Sequence, residues 1–165
     1  MENSRPHNVT RLHRSGRRIP SGLDEATIVA VVNDFYGQAR RDPLLGPIFN
    51  QVIPDVEWSR HMAIIADFWS SMLLGTGRYD GRPMPKHLVI PDLADPHFVR
   101  WLALFRNTVK RLCTPETAAL FTDRSERIAQ SFRLGLAIHR GQDSTSVRPL
   151  RASAMAGHIE KERDR

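Results

Sequence analysis

The stretch DVEWSRHMAIIADFWSSMLLG, residues 55–75, has the spacing of an amphipathic helix. Residues three and four positions apart share one face of an α-helix, because the helix repeats every 3.6 residues. The stretch therefore predicts a helix with one apolar face that ends near Gly75. That face also carries an imidazole, since its members are Trp58, His61, Ile65, Phe68 and Met72.

The segment before this helix, residues 21–42, repeats the same apolar spacing. Ser21 and Asp24 stand three positions apart, which is the spacing of a capping box at a helix start. The prolines and glycine of PLLGPIFN, residues 43–50, indicate a tight corner between the two helices. Its apolar residues are expected to face the core.

Two further helices are predicted in the second half of the chain. Asp95 as N-cap with Pro96 at the first helical position opens one of them. Thr114 and Pro115 repeat that signal for another, which runs to about His139. No segment alternates convincingly with a period of two, so the sequence predicts an all-α domain of four main helices.

The positive charge lies mostly at one end of the chain. The net charge of the protein is +6, yet residues 21–140 contribute only +1, and residues 1–20 contribute +4. Both ends are poor in large apolar side chains, so we expect a flexible basic N-terminal arm at 1–20, one domain at 21–140 and a flexible C-terminal extension at 141–165. A near-neutral domain counts against a nucleic-acid binder. For the arm, a solvated segment and attraction to nucleic acid or anionic lipid both stay open.

Cysteine content and hydropathy indicate the cellular environment that the sequence fits. The single cysteine, Cys113, cannot form an internal disulfide, which is typical of a reducing, cytoplasmic environment. No apolar run approaches the roughly 18 residues that span a bilayer, so no transmembrane segment is expected.

Four polar aromatic or heterocyclic side chains stand where apolar residues are expected. Tyr36, His61 and Trp101 lie on the apolar faces of three different helices, and His87 lies in RPMPKHLVIP, residues 82–91. The two prolines before His87 predict a short irregular segment and no regular helix. Each residue taken alone fits ordinary packing or, for His87, a surface loop.

Taken together, the four residues indicate a pocket with one metal ligand and several hydrogen-bond donors. A neutral imidazole is a good ligand for iron. Zinc is disfavoured, because neither an HxxxH nor a CxxC pattern occurs in the chain.

Four runs of the chain together resemble the third group of the truncated haemoglobins, over about residues 24–140. The runs are FYGQARRDPLLGPIFN, EWSRHMAIIADFWSSMLLGTGRYDG, RPMPKHLVIP and HFVRWLALF. The resemblance implies a two-over-two helical sandwich around haem b. It implies that His87 is the proximal iron ligand, that Tyr36, His61 and Trp101 face the bound gas, and that Phe49 lies at the corner after the first helix.

The same resemblance suggests further residues around the haem. Apolar wall positions are expected at Ile65, Phe68, Trp69, Leu73, Met84, Leu88, Phe98 and Phe105. From their charge and their place in the loop, and not from the resemblance, Arg78, Arg82 and Lys86 are expected to pair with the haem propionates.

The resemblance implies reversible binding of O2, NO or CO at a pentacoordinate iron with a polar distal pocket. Tyr36 and Trp101 are expected to donate hydrogen bonds to the gas, so its release is slow and bulk oxygen transport is disfavoured. NO detoxification or peroxide chemistry fits better, with His61 as a proton shuttle or an outward-swinging gate and with an unknown reductase as partner. A haem-based gas sensor without turnover, signalling through the basic arm, is the alternative.

Overall fold

Six α-helices and two short 3-10 turns make up the part of the chain that the computed structural model describes, residues 10–150. The predicted all-α class is confirmed, since the only extended pairing within these residues is an isolated bridge between Leu12 and Arg18. None of the helices between residues 10 and 150 has the length and hydrophobicity to span a bilayer. The helices are α1 Glu25–Ala39, α2 Gly46–Val52, α3 Trp58–Leu73, α4 Pro83–Leu88, α5 Asp95–Leu112 and α6 Pro115–His139.

The helix starts show which of the predicted caps form. Thr114 caps α6 as predicted, because its side chain accepts a hydrogen bond from the Thr117 N–H. The first helix is capped by Asp24, whose Oδ1 accepts from the Thr27 N–H at 2.8 Å, so the predicted start at Ser21 is three residues too early.

The start of α5 differs from the prediction by one residue. Ala94 is the N-cap, and Asp95 and Pro96 occupy the first two helical positions. The Asp95 carboxylate has another partner, since both of its oxygens accept hydrogen bonds from Arg133 on α6, at 2.7 and 2.6 Å. This pairing fixes the start of α5 against α6.

Two short helices replace segments that the sequence predicts as irregular. The corner at 43–50 continues into α2, and the segment that carries His87 forms α4. The expectation that prolines prevent a helix there is wrong, because Pro83 and Pro85 stand at the first and third positions of α4. A missing N–H costs little in the first turn, where no carbonyl of the same helix can accept it.

Stacked aromatic rings form the centre of the core, where α1 packs on α3 and α5, and α5 packs on α6. The Phe105 ring lies nearly parallel to Trp69 on one side and to Trp101 on the other, each with centroids 5.2 Å apart. Phe35 and Phe121 meet Phe105 edge-on. This stack ties the helix that carries His61 to the helix that carries Trp101.

Short segments outside the helices lie against the helical body at both ends. Arg17 donates to the Leu73 carbonyl at the end of α3, at 2.9 Å, and Ile19 is buried. At the other end, Arg133 donates to the Arg148 carbonyl. The proposed three-segment division stays a prediction, and its outer parts, residues 1–9 and 151–165, lie outside the described residues.

Candidate functional site

A cavity of about 250 Å³ opens between α3 on one side and α4 and α6 on the other. Its walls are mainly apolar, with a few polar groups from different helices. The polar side chains of the lining are those of Tyr36, His61, Tyr79, Lys86, His87, His97 and Trp101, and Phe132 is one of its aromatic rings. An apolar cleft with few convergent polar groups is typical of a cofactor or ligand site.

The His87 ring lines this cavity in a defined tautomer. Its Nδ1 lies 2.8 Å from the Pro83 carbonyl oxygen, one turn earlier in α4. A carbonyl only accepts, so Nδ1 carries the proton and Nε2 keeps its lone pair. Burial lowers the pKa of His87, and the charge on Lys86 adds to this against the opposing bond to Pro83. The ring is therefore a neutral imidazole with a free lone pair.

Tyr36 is buried in the cavity wall beside Trp101. The Trp101 indole N–H, which can only donate, lies within hydrogen-bonding reach of the Tyr36 hydroxyl oxygen and lowers the pKa of the phenol. Burial raises the pKa of Tyr36 well above its ordinary value, so the phenol stays protonated. Phe35 and Phe49 hold the phenol ring edge-on, with centroids 4.7 and 5.5 Å away. The Tyr36 hydroxyl oxygen therefore lies at a fixed place in the cavity wall.

His61 projects from the first turn of α3 and is half-buried in the cavity wall. Burial lowers the pKa of His61, the charge of Lys86 lowers it further, and a proton on His87 would act in the same direction. Both of those residues belong to α4, so His61 faces α4 across the cavity.

Comparison with known proteins agrees with this geometry, although no family model matches the chain. A group 3 truncated haemoglobin, Ctb, of Campylobacter jejuni subsp. jejuni is 37% identical over 113 residues, which cover 67% of this chain and 89% of that protein. The crystal structure of a group III truncated haemoglobin from Campylobacter jejuni superposes with a TM-score of 0.67 at 36% identity. That match covers 72% of this chain and 94% of the other.

The chain belongs to the group III truncated haemoglobins. Membership confirms the family and the fold that the sequence runs indicate, and it implies haem as the bound group and a globin's role in gas binding. The residues present fit that group. One neutral imidazole with a free lone pair faces an apolar cavity, which is the donor that haem iron takes from a globin.

This truncated haemoglobin brings most of the predicted site residues together. Besides the four polar groups, the cavity is lined by Phe49, Ile65, Phe68, Trp69, Lys86 and Phe98. Phe98 is 7% exposed and Trp69 is 1% exposed, so only a small part of each side chain meets the cavity. Their roles toward haem remain predictions.

Four of the predicted wall residues do not line the cavity. Leu73 and Phe105 are fully buried in the helix core, where Phe105 forms the centre of the aromatic stack. Met84 and Leu88 turn toward α6, where a Cβ placed on Gly135 would meet the Met84 sulfur at 2.6 Å. On α4, only Pro83, Lys86 and His87 reach the cavity.

Of the three cations predicted to pair with the haem propionates, only Lys86 lines the cavity. Arg78 lies outside the cavity, because its guanidinium is bound to the carboxylates of Glu25 and Asp67, each at 2.8 Å. Arg82 is exposed just before α4 and does not line the cavity either. Lys86 is exposed and lies in the cavity wall.

Several residues that line the cavity were not predicted from the sequence. Phe132 and Ile128 lie on the apolar stripe of α6, a signal for burial that does not distinguish core from cavity. Tyr79 follows Arg78 in the glycine-rich loop, and the ion pairs of Arg78 hold that loop against α1 and α3. The Tyr79 ring then meets Phe68 edge-on at 5.3 Å.

Proposed function

We propose that this truncated haemoglobin holds haem b through His87 and binds a diatomic gas, O2, NO or CO, reversibly at a pentacoordinate iron. The proposal includes redox or NO-detoxifying chemistry in place of bulk oxygen transport. Its main support is the His87 imidazole, whose tautomer the Pro83 carbonyl sets so that the free lone pair belongs to Nε2. We also propose a cytoplasmic location, since Cys113 is the only cysteine.

When bound, haem would supply an iron that can take a small ligand. His87 of α4 would hold that iron through Nε2, and α3 and α6 would provide apolar walls. Ile65 and Phe68 limit access of water from the α3 side. Lys86, in the exposed part of the wall, is the cation suited to a haem carboxylate.

Tyr36 is the donor that this pocket offers to a bound gas. Because the Trp101 N–H lies within hydrogen-bonding reach of the Tyr36 oxygen, we take the phenol proton as the one that is donated to the gas. Trp101 therefore acts through Tyr36, orienting the hydroxyl and polarising its O–H bond. A hydrogen bond from a neutral donor to a partly charged ligand contributes about 1.5–3 kcal/mol, or roughly ten- to hundredfold in ligand release.

Slow release favours chemistry over delivery, because an oxygen carrier has to release its cargo at the working oxygen pressure. Conversion of NO and O2 to nitrate consumes one electron, which a reductase has to return. Peroxide chemistry needs a proton carrier instead. His61 suits that role, since its pKa is lowered and its ring is half-buried in the wall.

A gas sensor without turnover is the second candidate, and one contact favours it. Arg17 binds the carbonyl that ends α3, the helix that carries His61. A sensor requires this contact to differ between gas-free and gas-bound protein. Hydrogen exchange of residues 11–19 with and without CO tests this: changed protection supports sensing, and equal protection counts against it.

The visible absorption spectrum tests the proposed function. Purified protein is expected to show an intense Soret band, which His87→Ala weakens or shifts and which added imidazole restores. His139→Ala is the matched control, because His139 is exposed at the end of α6. An unchanged spectrum in His87→Ala contradicts the assignment of the ligand.

A further inference from the structure

Phe132 of α6 lies face to face with the His87 ring. The two ring centroids are 4.2 Å apart and the planes are inclined by 26°. Both rings line the cavity, and both are half-buried. No other ring stacks on His87 among the ring pairs of residues 10–150.

Two restraints of different kinds therefore act on the His87 ring. The Nδ1–H bond to the Pro83 carbonyl holds one edge of the imidazole. That bond alone permits the ring to tilt about the line from Nδ1 to the carbonyl. A stacked ring on one face opposes such a tilt, because tilting loses contact with the aromatic surface.

Contacts of two neighbouring residues on α6, Arg133 and Gly135, fix the position of Phe132. Its neighbour Arg133 is buried and bound through two hydrogen bonds to Asp95. Three residues after Phe132, Gly135 lets Met84 of α4 lie directly against the α6 backbone. Phe132 is thus presented to His87 by a helix that has little freedom to turn.

We propose that Phe132 is a positioning residue for the imidazole: together with the Pro83 carbonyl, it fixes the plane in which the ring presents Nε2. This inference rests on the proposed function, in which His87 is the iron ligand. It goes further by assigning the orientation of that ligand to a residue of α6.

Exogenous imidazole provides the test, because it separates the ring from the chain. In His87→Gly holoprotein, imidazole can enter the vacated space, donate to the Pro83 carbonyl and stack on Phe132. Its affinity, read from the Soret band, is expected to fall about three- to tenfold when Phe132→Leu is added. Phe132→Tyr is the matched control, since it keeps the aromatic face and is expected to restore the affinity.

The outcomes separate the two proposals. If imidazole leaves the spectrum of His87→Gly unchanged, the ligand assignment fails and the inference fails with it. If imidazole binds His87→Gly with the same affinity whether or not Phe132→Leu is present, only the inference fails. A loss of affinity that Phe132→Tyr does not restore also overturns the inference, because it would reflect packing and not stacking.

A second measurement keeps His87 in place. The iron–histidine stretching band in the resonance Raman spectrum of the ferrous protein reports the strength and orientation of that bond. Phe132→Leu is expected to shift and broaden this band, and Phe132→Tyr to leave it near the wild-type position. An unchanged band in Phe132→Leu contradicts the proposed role.

Discussion

The Trp101 indole N–H lies within hydrogen-bonding reach of the Tyr36 hydroxyl oxygen, in a cavity whose walls are mainly apolar. An N–H directed at that oxygen uses one of its lone pairs and leaves the phenol proton free to be donated. The two residues come from α5 and α1, which the aromatic stack around Phe105 holds together. In the proposed function the two members of this pair are therefore not equivalent, since the phenol donates to the gas and the indole orients the phenol.

Tyr36→Phe is expected to speed O2 release by roughly ten- to hundredfold, because it removes the donor and keeps the ring. Trp101→Phe is expected to have a smaller effect in the same direction, since the phenol proton remains and only its orientation is lost. Stopped-flow displacement of O2 by CO measures both rates. An unaltered rate in Tyr36→Phe would refute its role, and a larger effect from Trp101→Phe would make the indole the direct donor.

Leu73→Ala is expected to lower the free energy of unfolding by about 2–5 kcal/mol without changing haem retention. Leu73 is fully buried, so the substitution leaves a void, but the residue does not line the cavity. Phe68→Ala is expected to speed haem release, because Phe68 is part of the cavity wall. Urea unfolding measures the free energy of unfolding, and haem transfer to an acceptor protein measures the rate of haem release.

The comparison of these two variants is the control, since both residues lie on α3 and only one meets the cavity. Faster haem release from Leu73→Ala, at a level matching Phe68→Ala, would return Leu73 to the pocket wall, which is the position that the family resemblance implies.

The long helices are predictable because their apolar spacing runs over several turns. His61, Tyr36 and Trp101 stand out on those faces as polar groups, and the structure brings all three to one cavity. The six-residue helix α4 offers too few turns for such a pattern. Its prolines therefore predict a break in the helix, although the first turn tolerates them.

The sequence does not predict the direction of the side chains on α4 either, because the helix is too short to show a periodic pattern. Met84 and Leu88 are as apolar as a haem wall requires, yet they meet α6 at Gly135. The ion-pair partners of Arg78 are equally unpredictable from the sequence. They are Asp67 on α3 and Glu25, which lies 53 residues away in the chain. Charge and loop position do not predict a partner that only the fold brings close.

Asp42 provides a test of how the α1–α2 corner is held. Its carboxylate is 3% exposed and accepts the N–H groups of Leu44 and Leu45, at 3.0 and 3.1 Å, and the Arg100 guanidinium at 2.7 Å. Burial raises the pKa of Asp42, but the bonds from Arg100 and the two amides outweigh it and lower the pKa below its ordinary value. The folded state therefore favours the charged form.

A carboxyl group whose pKa is lower in the folded than in the unfolded protein stabilises the fold above its unfolded pKa of about 3.9. That stabilisation is lost as the pH falls through the folded pKa. Asp42→Asn is therefore expected to lower the free energy of unfolding by about 1–3 kcal/mol at pH 7. Its difference from the wild type should shrink as the pH falls below about 4.

Urea unfolding at a series of pH values between neutral and acidic measures this dependence. Asp55→Asn is the matched control: its carboxylate also binds an arginine, Arg40, but is 86% exposed, so water screens the pair. A loss in Asp42→Asn that stays constant down to acidic pH would mean that packing of the side chain, and not its charge, holds the corner. Equal losses in the two variants would contradict the role given to burial and to the Leu44 and Leu45 amides, since the Asp42 carboxylate has both and the exposed Asp55 carboxylate has neither among the described residues.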